Sequence, residues 1–234
     1  DRAVRAHARA TLVAACQVLQ SGSPVGRETQ RRARQVHGRR VARRHGAPYC
    51  ITEALLDQFL IAGGKGLKAA ELDDADHPIA GQLMGSHPAE IALGAKVLLK
   101  LGYDVIDINF GCPVRKVTKT GAGATLLEDP ERAVRIVSAV ASAVSVPVTV
   151  KMRRGLANGS RAALTVGPQL VDAGAASLTL HPRSAKQLYP GTADHSPVEA
   201  ARLTSHKIYT CTVTATNAIG AGAPSAPSAA FVAV

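Results

Sequence analysis

Residues Asp107–Lys116 read Asp-Ile-Asn-Phe-Gly-Cys-Pro-Val-Arg-Lys. The apolar run Val105–Asn109, which leads into the glycine, predicts a buried strand of the kind that helices cover in a parallel sheet. Cys112 follows the end of this strand on a Gly-Cys-Pro corner, with Asn109 beside it. A cysteine that only fills space is compatible with this position, but it needs neither the corner nor the polar neighbour. The segment therefore favours a thiol at the mouth of a sheet, able to act as a proton donor or a nucleophile.

Strand and helix signals alternate on both sides of this corner. The predicted strands are Tyr49–Thr52, Pro78–Met84, Val105–Asn109, Val146–Met152 and Ser177–His181. Three helices are predicted between the strands. The first has Ser86 as its cap and Pro88 in its first turn and ends at Gly102; the second starts at Asp129-Pro130-Glu131, and the third covers Arg161–Ala173. This alternation predicts an α/β fold on a parallel sheet, in which the chemistry collects at the carboxyl ends of the strands.

Polar side chains cluster at those predicted strand ends. They are Gln82, Asn109, Cys112, Lys151, Arg153, His181 and Arg183. Their common position predicts one site at one edge of the sheet. Taken alone, Lys151 is equally well explained by pairing with a carboxylate, and His181 by a buried histidine with satisfied partners. The segment Gly121–Gly123 resembles a phosphate-binding loop, but a turn that supports the cysteine corner fits it better.

The positive charge is concentrated at the start of the chain. Residues 1–45 contain eleven arginines and no lysine against two acidic residues, so they carry +9 of the net charge of +11. Helices are predicted over 2–20 and 27–45. This arginine-rich leader is compatible with neutralisation of nucleic-acid phosphates, with a solvated segment that binds nothing, and with a compositional bias of the coding sequence.

The end of the chain has a different pattern. Ile208–Asn217 alternates with period two and is rich in β-branched residues, which predicts a half-buried antiparallel strand. A turn over Ala218–Ser228 and a returning strand over Phe231–Val234 complete a hairpin-like tail. The tail resembles the last two strands of a fibronectin type III domain.

Composition excludes several classes of protein. The four cysteines lack CxxC spacing, which argues against structural zinc or a disulfide framework and favours a reduced, cytosolic setting. No apolar run approaches the roughly 18 residues of a membrane span, and no signal-peptide pattern begins the sequence. Hydrophobic residues make up 46% of the chain, which is enough for a sizeable core.

The segment Asp107–Lys116 resembles the active-site signature of the tRNA-dihydrouridine synthases, FMN-dependent enzymes on a TIM barrel. Five flanking motifs agree in order and spacing: Gln82–Ser86, Gly121–Leu127, Val148–Gly155, Leu178–Arg183 and Gln187–Gly191. The resemblance runs from about residue 41 to about residue 197, about two thirds of the chain.

This resemblance implies a reduction of uridine to 5,6-dihydrouridine. Cys112 would protonate C5 of an extruded uracil, reduced FMN would deliver hydride to C6, and NADPH would restore the flavin. Gln82, Lys151 and His181 would contact FMN, with the Lys151 charge stabilising reduced flavin.

The same resemblance implies contacts on the substrate side. Asn109 would help to read the uracil edge, and Lys116, Arg153 and Arg183 would contact flavin phosphate or RNA. The implied partner is tRNA, whose base must leave its stack to be reached. Neither a metal nor a membrane is expected, and the implied location is cytoplasmic.

The sequence departs from the family at both ends. The first strand of the family carries an Ala-Pro-Met segment against the flavin, and nothing similar precedes Val41. After about Pro197 the last two βα units and their phosphate-binding loops are replaced by the tail. We therefore expect a partial (β/α) barrel of about five βα units at 46–200, between a basic helical leader at 1–45 and a β tail at 201–234.

These departures give the functional prediction two alternatives. One is a truncated, catalytically inactive chimeric product that at most binds RNA through its basic arm. The other is a piece of a secreted modular protein, which the missing signal sequence and unpaired cysteines disfavour.

Overall fold

The computed structural model describes residues 38–44, 47–190 and 192–194, together with the backbone of four two-residue strands nearer the carboxyl terminus. The helix predicted over 2–20 lies outside the described residues, and so does the first part of the helix predicted over 27–45. Residues 38–44 are helical, in agreement with the end of that second helix, and form α1.

A parallel sheet is the centre of the fold. Its strands are β1 (Cys50–Ile51), β2 (Leu55–Leu56), β3 (Ile79–Met84), β4 (Val105–Phe110), β5 (Val148–Arg153) and β6 (Ser177–His181). Both β1 and β2 pair with β3, and the order then runs β3, β4, β5, β6. All five predicted strands are present, and β2 is an addition that the sequence did not predict.

Helices follow the strands along the chain. They are α2 (Asp57–Ala62), α3 (Lys65–Ala69), α4 (Pro88–Lys100), α5 (Arg115–Thr118), α6 (Pro130–Ala143) and α7 (Ala162–Asp172), with 3₁₀ turns at Asp74–Asp76 and Gly123–Glu128. The sheet with its flanking helices forms part of a (β/α) barrel, which confirms the predicted partial TIM barrel.

Two of the predicted helix starts have different outcomes. Asp129 caps α6 as predicted, since its Oδ1 accepts a hydrogen bond from the Arg132 backbone N–H at 3.1 Å. The predicted cap of α4 by Ser86 is wrong. Pro88 is the first residue of this helix, so the capping position falls on His87, whose side chain makes no capping hydrogen bond.

The sheet has an apolar face and a polar face. Side chains alternate between the two faces along each strand. The apolar face packs against α4, α6 and α7, and its buried side chains are Ile79, Leu83, Ile106, Ile108, Phe110, Val148, Val150 and Met152. The opposite face is the inner face of the partial barrel and carries Gln82, Asp107, Asn109, Thr149, Lys151, Arg153, Ser177, Thr179 and His181. Helix packing therefore leaves the polar residues together on one concave face.

Short strands pair in the tail as well. β7 (Ile208–Tyr209) pairs with β10 (Phe231–Val232), and β8 (Thr216–Asn217) pairs with β9 (Gly220–Ala221), both antiparallel. The predicted return of the chain as an antiparallel strand is confirmed for β10, whereas β9 lies inside the segment Ala218–Ser228 that was predicted to be a turn. Residues 210–215, which the sequence assigned to one continuous strand, lie outside the described residues. The likeness of the tail to a fibronectin domain stays a prediction. No helix in the described part of the chain combines the length and apolar character needed to cross a bilayer.

Three of the four arginines of α1 make contacts within the protein. Arg39 is buried and makes a bidentate contact with buried Asp76, at 3.0 Å from Nε and 2.7 Å from Nη2. Arg43 donates to the backbone carbonyls of Asp76, at 2.8 Å, and Pro78. Arg40 pairs with Asp73 at the surface. These contacts fasten α1 to the connection that precedes β3.

We expect Arg39→Ala to lower the free energy of unfolding by about 3–5 kcal/mol, because it leaves the buried Asp76 carboxylate without its cation. The matched control is Arg40→Ala, which removes an exposed ion pair and should leave the free energy of unfolding almost unchanged. Urea denaturation monitored by circular dichroism measures the free energy of unfolding of both variants, since the chain has no tryptophan for fluorescence. Equal losses in the two variants would contradict the structural role of the buried pair.

Candidate active site on the inner face of the sheet

The register of the strands brings the predicted site residues side by side. Gln82 pairs with Asp107 across β3 and β4, Asn109 pairs with Lys151 across β4 and β5, and Arg153 pairs with His181 across β5 and β6. Neighbouring residues in parallel strands whose side chains lie on one face point into the same space. The structure thus groups Gln82, Asn109, Lys151 and His181 on one surface, next to the corner that carries Cys112.

A chain of side-chain hydrogen bonds crosses this surface. The Asn109 Oδ1 accepts from the backbone N–H groups of Gly111 at 3.0 Å and Cys112 at 2.9 Å. The Asn109 Nδ2 donates to Gln82 Oε1 at 2.8 Å, and the Gln82 Nε2 donates to Asp107 Oδ2 at 2.7 Å. Both amide groups are therefore oriented, and the backbone before the thiol is attached to the floor of the site.

Asp107 is the last acceptor in this series of hydrogen bonds, and the sequence alone did not single it out. It is 1% exposed, and its other oxygen accepts from the Thr149 hydroxyl at 2.5 Å. Burial raises its pKa to about 6, opposed by the hydrogen bonds from Thr149 and Gln82 and by the charge of Lys151. A signal did exist in the sequence, because Asp107 lies two residues from Asn109 and so shares its face of the strand.

The corner itself is held by a neighbouring loop. The Cys112 side chain is partly exposed, and its backbone carbonyl accepts from the Ala124 N–H at 3.0 Å. Gly123 has φ +64°, and a Cβ built there would lie 2.6 Å from the Cys112 carbonyl oxygen and 3.1 Å from its Cβ. The turn after Gly121 thus supports the cysteine corner, as the sequence indicated.

Arg153 connects the corner to the segment after β6. It is 3% exposed, its Nε donates to the Gly111 carbonyl at 3.0 Å, and its Nη1 donates to the carbonyls of Ser184 and Leu188, both at 2.9 Å. The guanidinium also lies over the Tyr189 ring, 5.5 Å from its centroid. These contacts direct the guanidinium to protein backbone, and the flavin or RNA contact expected for this residue stays a prediction.

Lys151 and His181 are ionisable side chains of the inner face. In the described part of the chain the Lys151 ammonium has no hydrogen bond or ion pair, and burial lowers its pKa, partly offset by the charge of Asp107. The alternative that Lys151 forms a salt bridge with a carboxylate therefore finds no partner among those residues. Burial, followed by the charges of Arg153, Lys151 and Arg183, lowers the pKa of His181 to about 4. His181 is thus neutral at physiological pH.

Of the two remaining predicted residues, Lys116 lies apart from this surface and Arg183 borders it. Lys116 is exposed on α5, beyond the cysteine corner. Arg183 follows β6 and is half-buried; its backbone N–H donates to His181 Nδ1 at 3.2 Å, and its carbonyl accepts from Arg154 N–H. Among residues 38–44, 47–190 and 192–194, no three histidine, cysteine or carboxylate side chains are grouped as a metal ion would require.

Comparison with known proteins gives one family. The sequence model described as dihydrouridine synthase matches residues 31–206. A probable tRNA-dihydrouridine synthase of Rhodobacter capsulatus is 35% identical over 167 residues, or 70% of this chain and 51% of that protein. The tRNA-dihydrouridine synthase B of Pseudomonas aeruginosa is 34% identical over 163 residues, or 69% of this chain and 49% of that protein. The chain thus spans about half the length of these curated relatives.

We expect the His181 imidazole to stay neutral down to about pH 5, with its proton on Nε2 because Nδ1 accepts from Arg183. Its folded pKa lies below the usual 6.5, so its stabilising contribution is present above pH 6.5 and is lost as the pH falls toward 4. Imidazole ¹⁵N shifts between pH 4 and 8 test this, with His181→Gln to identify the signals. A titration midpoint of the His181 imidazole near pH 6.5 would contradict its burial beside Arg153, Lys151 and Arg183.

We expect Gly123→Ala to disturb the cysteine corner, because its Cβ would overlap the Cys112 carbonyl. Gly102→Ala is the matched control, since Gly102 has φ +92° and no atom within 4 Å of its Cβ position. The control should cost about 1–2 kcal/mol from backbone strain, and Gly123→Ala a further 1–3 kcal/mol or so from overpacking. Unfolding in urea and the alkylation rate of the Cys112 peptide are the measurements. Identical behaviour of the two variants would show that the contact has no effect.

Proposed function

The chain belongs to the dihydrouridine synthase family, and we propose that it binds FMN on the inner face of its sheet and reduces uridine in tRNA. The observation that supports this most directly is the Lys151 ammonium, which has no partner among the described residues and lies on the same concave face as the anchored Cys112 corner. Because the chain spans about half the length of its curated relatives, the activity of the whole protein is part of the proposal. So are its tRNA partner and a cytoplasmic location.

The residues of the inner face fit the ring end of a flavin. A lysine that no described residue pairs with is suited to the N1 and C2 carbonyl edge, where negative charge collects on reduction. A neutral imidazole whose Nε2–H makes no hydrogen bond within the described part of the chain offers one donor without adding a competing charge. When bound and reduced, FMN supplies hydride to C6 of uracil, and NADPH restores the reduced form. We propose that Lys151 and His181 hold this group.

Cys112 completes the reduction on the base. We propose that its thiol gives a proton to C5 while C6 receives the hydride, so that the C5–C6 double bond becomes a single bond. The resulting thiolate regains a proton from solvent. The partial exposure of Cys112 permits both events, and its anchored backbone fixes the point from which the side chain extends toward the inner face.

Gln82 and Arg153 act through the corner in this proposal. Gln82 is fully buried and uses both ends of its amide on Asn109 and Asp107. Arg153 donates to the Gly111 carbonyl, the last backbone acceptor before Cys112. We therefore propose a positioning role for these two residues in place of direct contacts with flavin or RNA. Asn109, Lys116 and Arg183 remain the proposed contacts to uracil, RNA and phosphate.

The alternative of RNA binding by the basic arm has less support in the described residues. Arg39, Arg40 and Arg43 all contact acidic side chains or carbonyls of this same chain. Cations paired in this way release fewer counterions from RNA than free ones do. Arg44 is also described and is exposed on α1, and the seven arginines that precede Arg39 lie outside the described residues.

We expect the purified chain to take up FMN in an absorbance titration and, with NADPH, to convert uridine to dihydrouridine in unmodified tRNA. Cys112→Ala should retain FMN and lose turnover by about 10²-fold or more, the usual contribution of a general acid. Cys50→Ala alters a buried cysteine away from the site and is the matched control. Failure of the chain to bind FMN, or unchanged turnover without Cys112, would overturn the proposal.

A further inference from the structure

The hydrogen-bond chain on the inner face has a fixed direction. The Gly111 and Cys112 N–H groups can only donate, so the group of Asn109 that faces them must be its oxygen. The Asn109 nitrogen then faces Gln82, which turns the Gln82 oxygen toward Asn109 and the Gln82 nitrogen toward Asp107. In this orientation the Gln82 nitrogen lies at the end of the series of hydrogen bonds and needs an acceptor.

Asp107 is that acceptor, and its surroundings hold it in place. Its Oδ2 accepts a hydrogen bond from the Gln82 amide, and its Oδ1 accepts one from the Thr149 hydroxyl. Asp107 is only 1% exposed. Water is therefore unable to replace it as a partner for Gln82. The register of β3, β4 and β5 places Gln82, Asp107 and Thr149 opposite one another, so no rearrangement of the loops is needed to keep the contact.

We propose that Asp107 is a positioning residue for Cys112. Its carboxylate fixes the orientation of the Gln82 and Asn109 amides, and through them it holds the two backbone N–H groups that direct the thiol corner. For its catalytic consequence this inference rests on the proposed function. The structural consequence is independent of it: without an acceptor at position 107, the Gln82 amide nitrogen loses its buried partner, which weakens the hydrogen bonds that run from Gln82 through Asn109 to the corner.

The decisive comparison is between Asp107→Leu and Asp107→Asn. Leucine has a similar size and no acceptor, whereas asparagine can present its oxygen to Gln82 and its nitrogen to the Thr149 hydroxyl oxygen. Asp104→Asn is the matched control, because Asp104 is an exposed carboxylate just before β4, where it accepts from the Ile79 N–H at 2.7 Å. The measurements are amide hydrogen exchange in the Gly111–Cys112 peptide, alkylation rate of Cys112, and kcat and KM for uridine in tRNA.

We expect Asp107→Leu to speed exchange at the corner by about tenfold, the factor that corresponds to one net hydrogen bond. It should also change the alkylation rate of Cys112 and lower kcat more than it raises KM. Asp107→Asn should recover most of each property, and Asp104→Asn should match the wild type. If exchange, alkylation and kcat in Asp107→Leu equal those of the wild type, the inference is wrong.

A second pair of variants serves if Asp107→Leu does not fold. Gln82→Glu places two carboxylates opposite each other and should loosen the corner, whereas Gln82→Glu with Asp107→Asn restores a donor and an acceptor and should tighten it again. Absence of this recovery counts against the inference. Recovery of exchange protection in a protein that never binds FMN would support the positioning role while overturning the proposed function, so the two failures are distinguishable.

Discussion

Strict alternation of side chains along β3, β4, β5 and β6 is the constraint on which the rest of the structure depends. The helices require an apolar surface, and the strands provide it with every second residue. The residues between them must then face the inside of the partial barrel, whatever their polarity. A shift of one residue in any strand would send Asp107 or Lys151 into the helix layer and expose leucines and valines on the concave face. Packing of the core and assembly of the site are thus one event.

Burying polar side chains on the inner face costs free energy, which their hydrogen bonds offset. Buried amides and carboxylates lose hydration, and each must find a partner inside the protein. On the described residues the amides of Gln82 and Asn109 do so through one another, through Asp107 and through the backbone of the cysteine corner. Lys151 is the exception, because its ammonium has no such partner there. A group left without a partner in an otherwise satisfied network marks the place where a ligand is expected.

The sequence was informative where one local pattern was enough. Periodicity and strand ends located β3 to β6 and placed Gln82, Asn109, Lys151 and His181 at one edge. Contacts between distant segments were beyond its reach: nothing local indicates that Arg39 pairs with Asp76 or that Arg153 binds the carbonyls of Ser184 and Leu188. The cap of α4 was misassigned because serine has the stronger intrinsic preference, while the position of Pro88 decided the matter. Asp107 was passed over because a carboxylate on a buried strand has meaning only once its donors are known.

The contacts of Arg153 have a consequence for how this site can change over time. Its partners at positions 111, 184 and 188 are backbone oxygens, which every amino acid provides. Substitutions at Leu188 can therefore alter the outer wall of the site without detaching it from the sheet. Arg153 has no such freedom, since a lysine offers neither the planar fork nor the reach to serve three acceptors. One arginine thus holds the surrounding loop through its backbone and leaves the side chains of that loop free to differ.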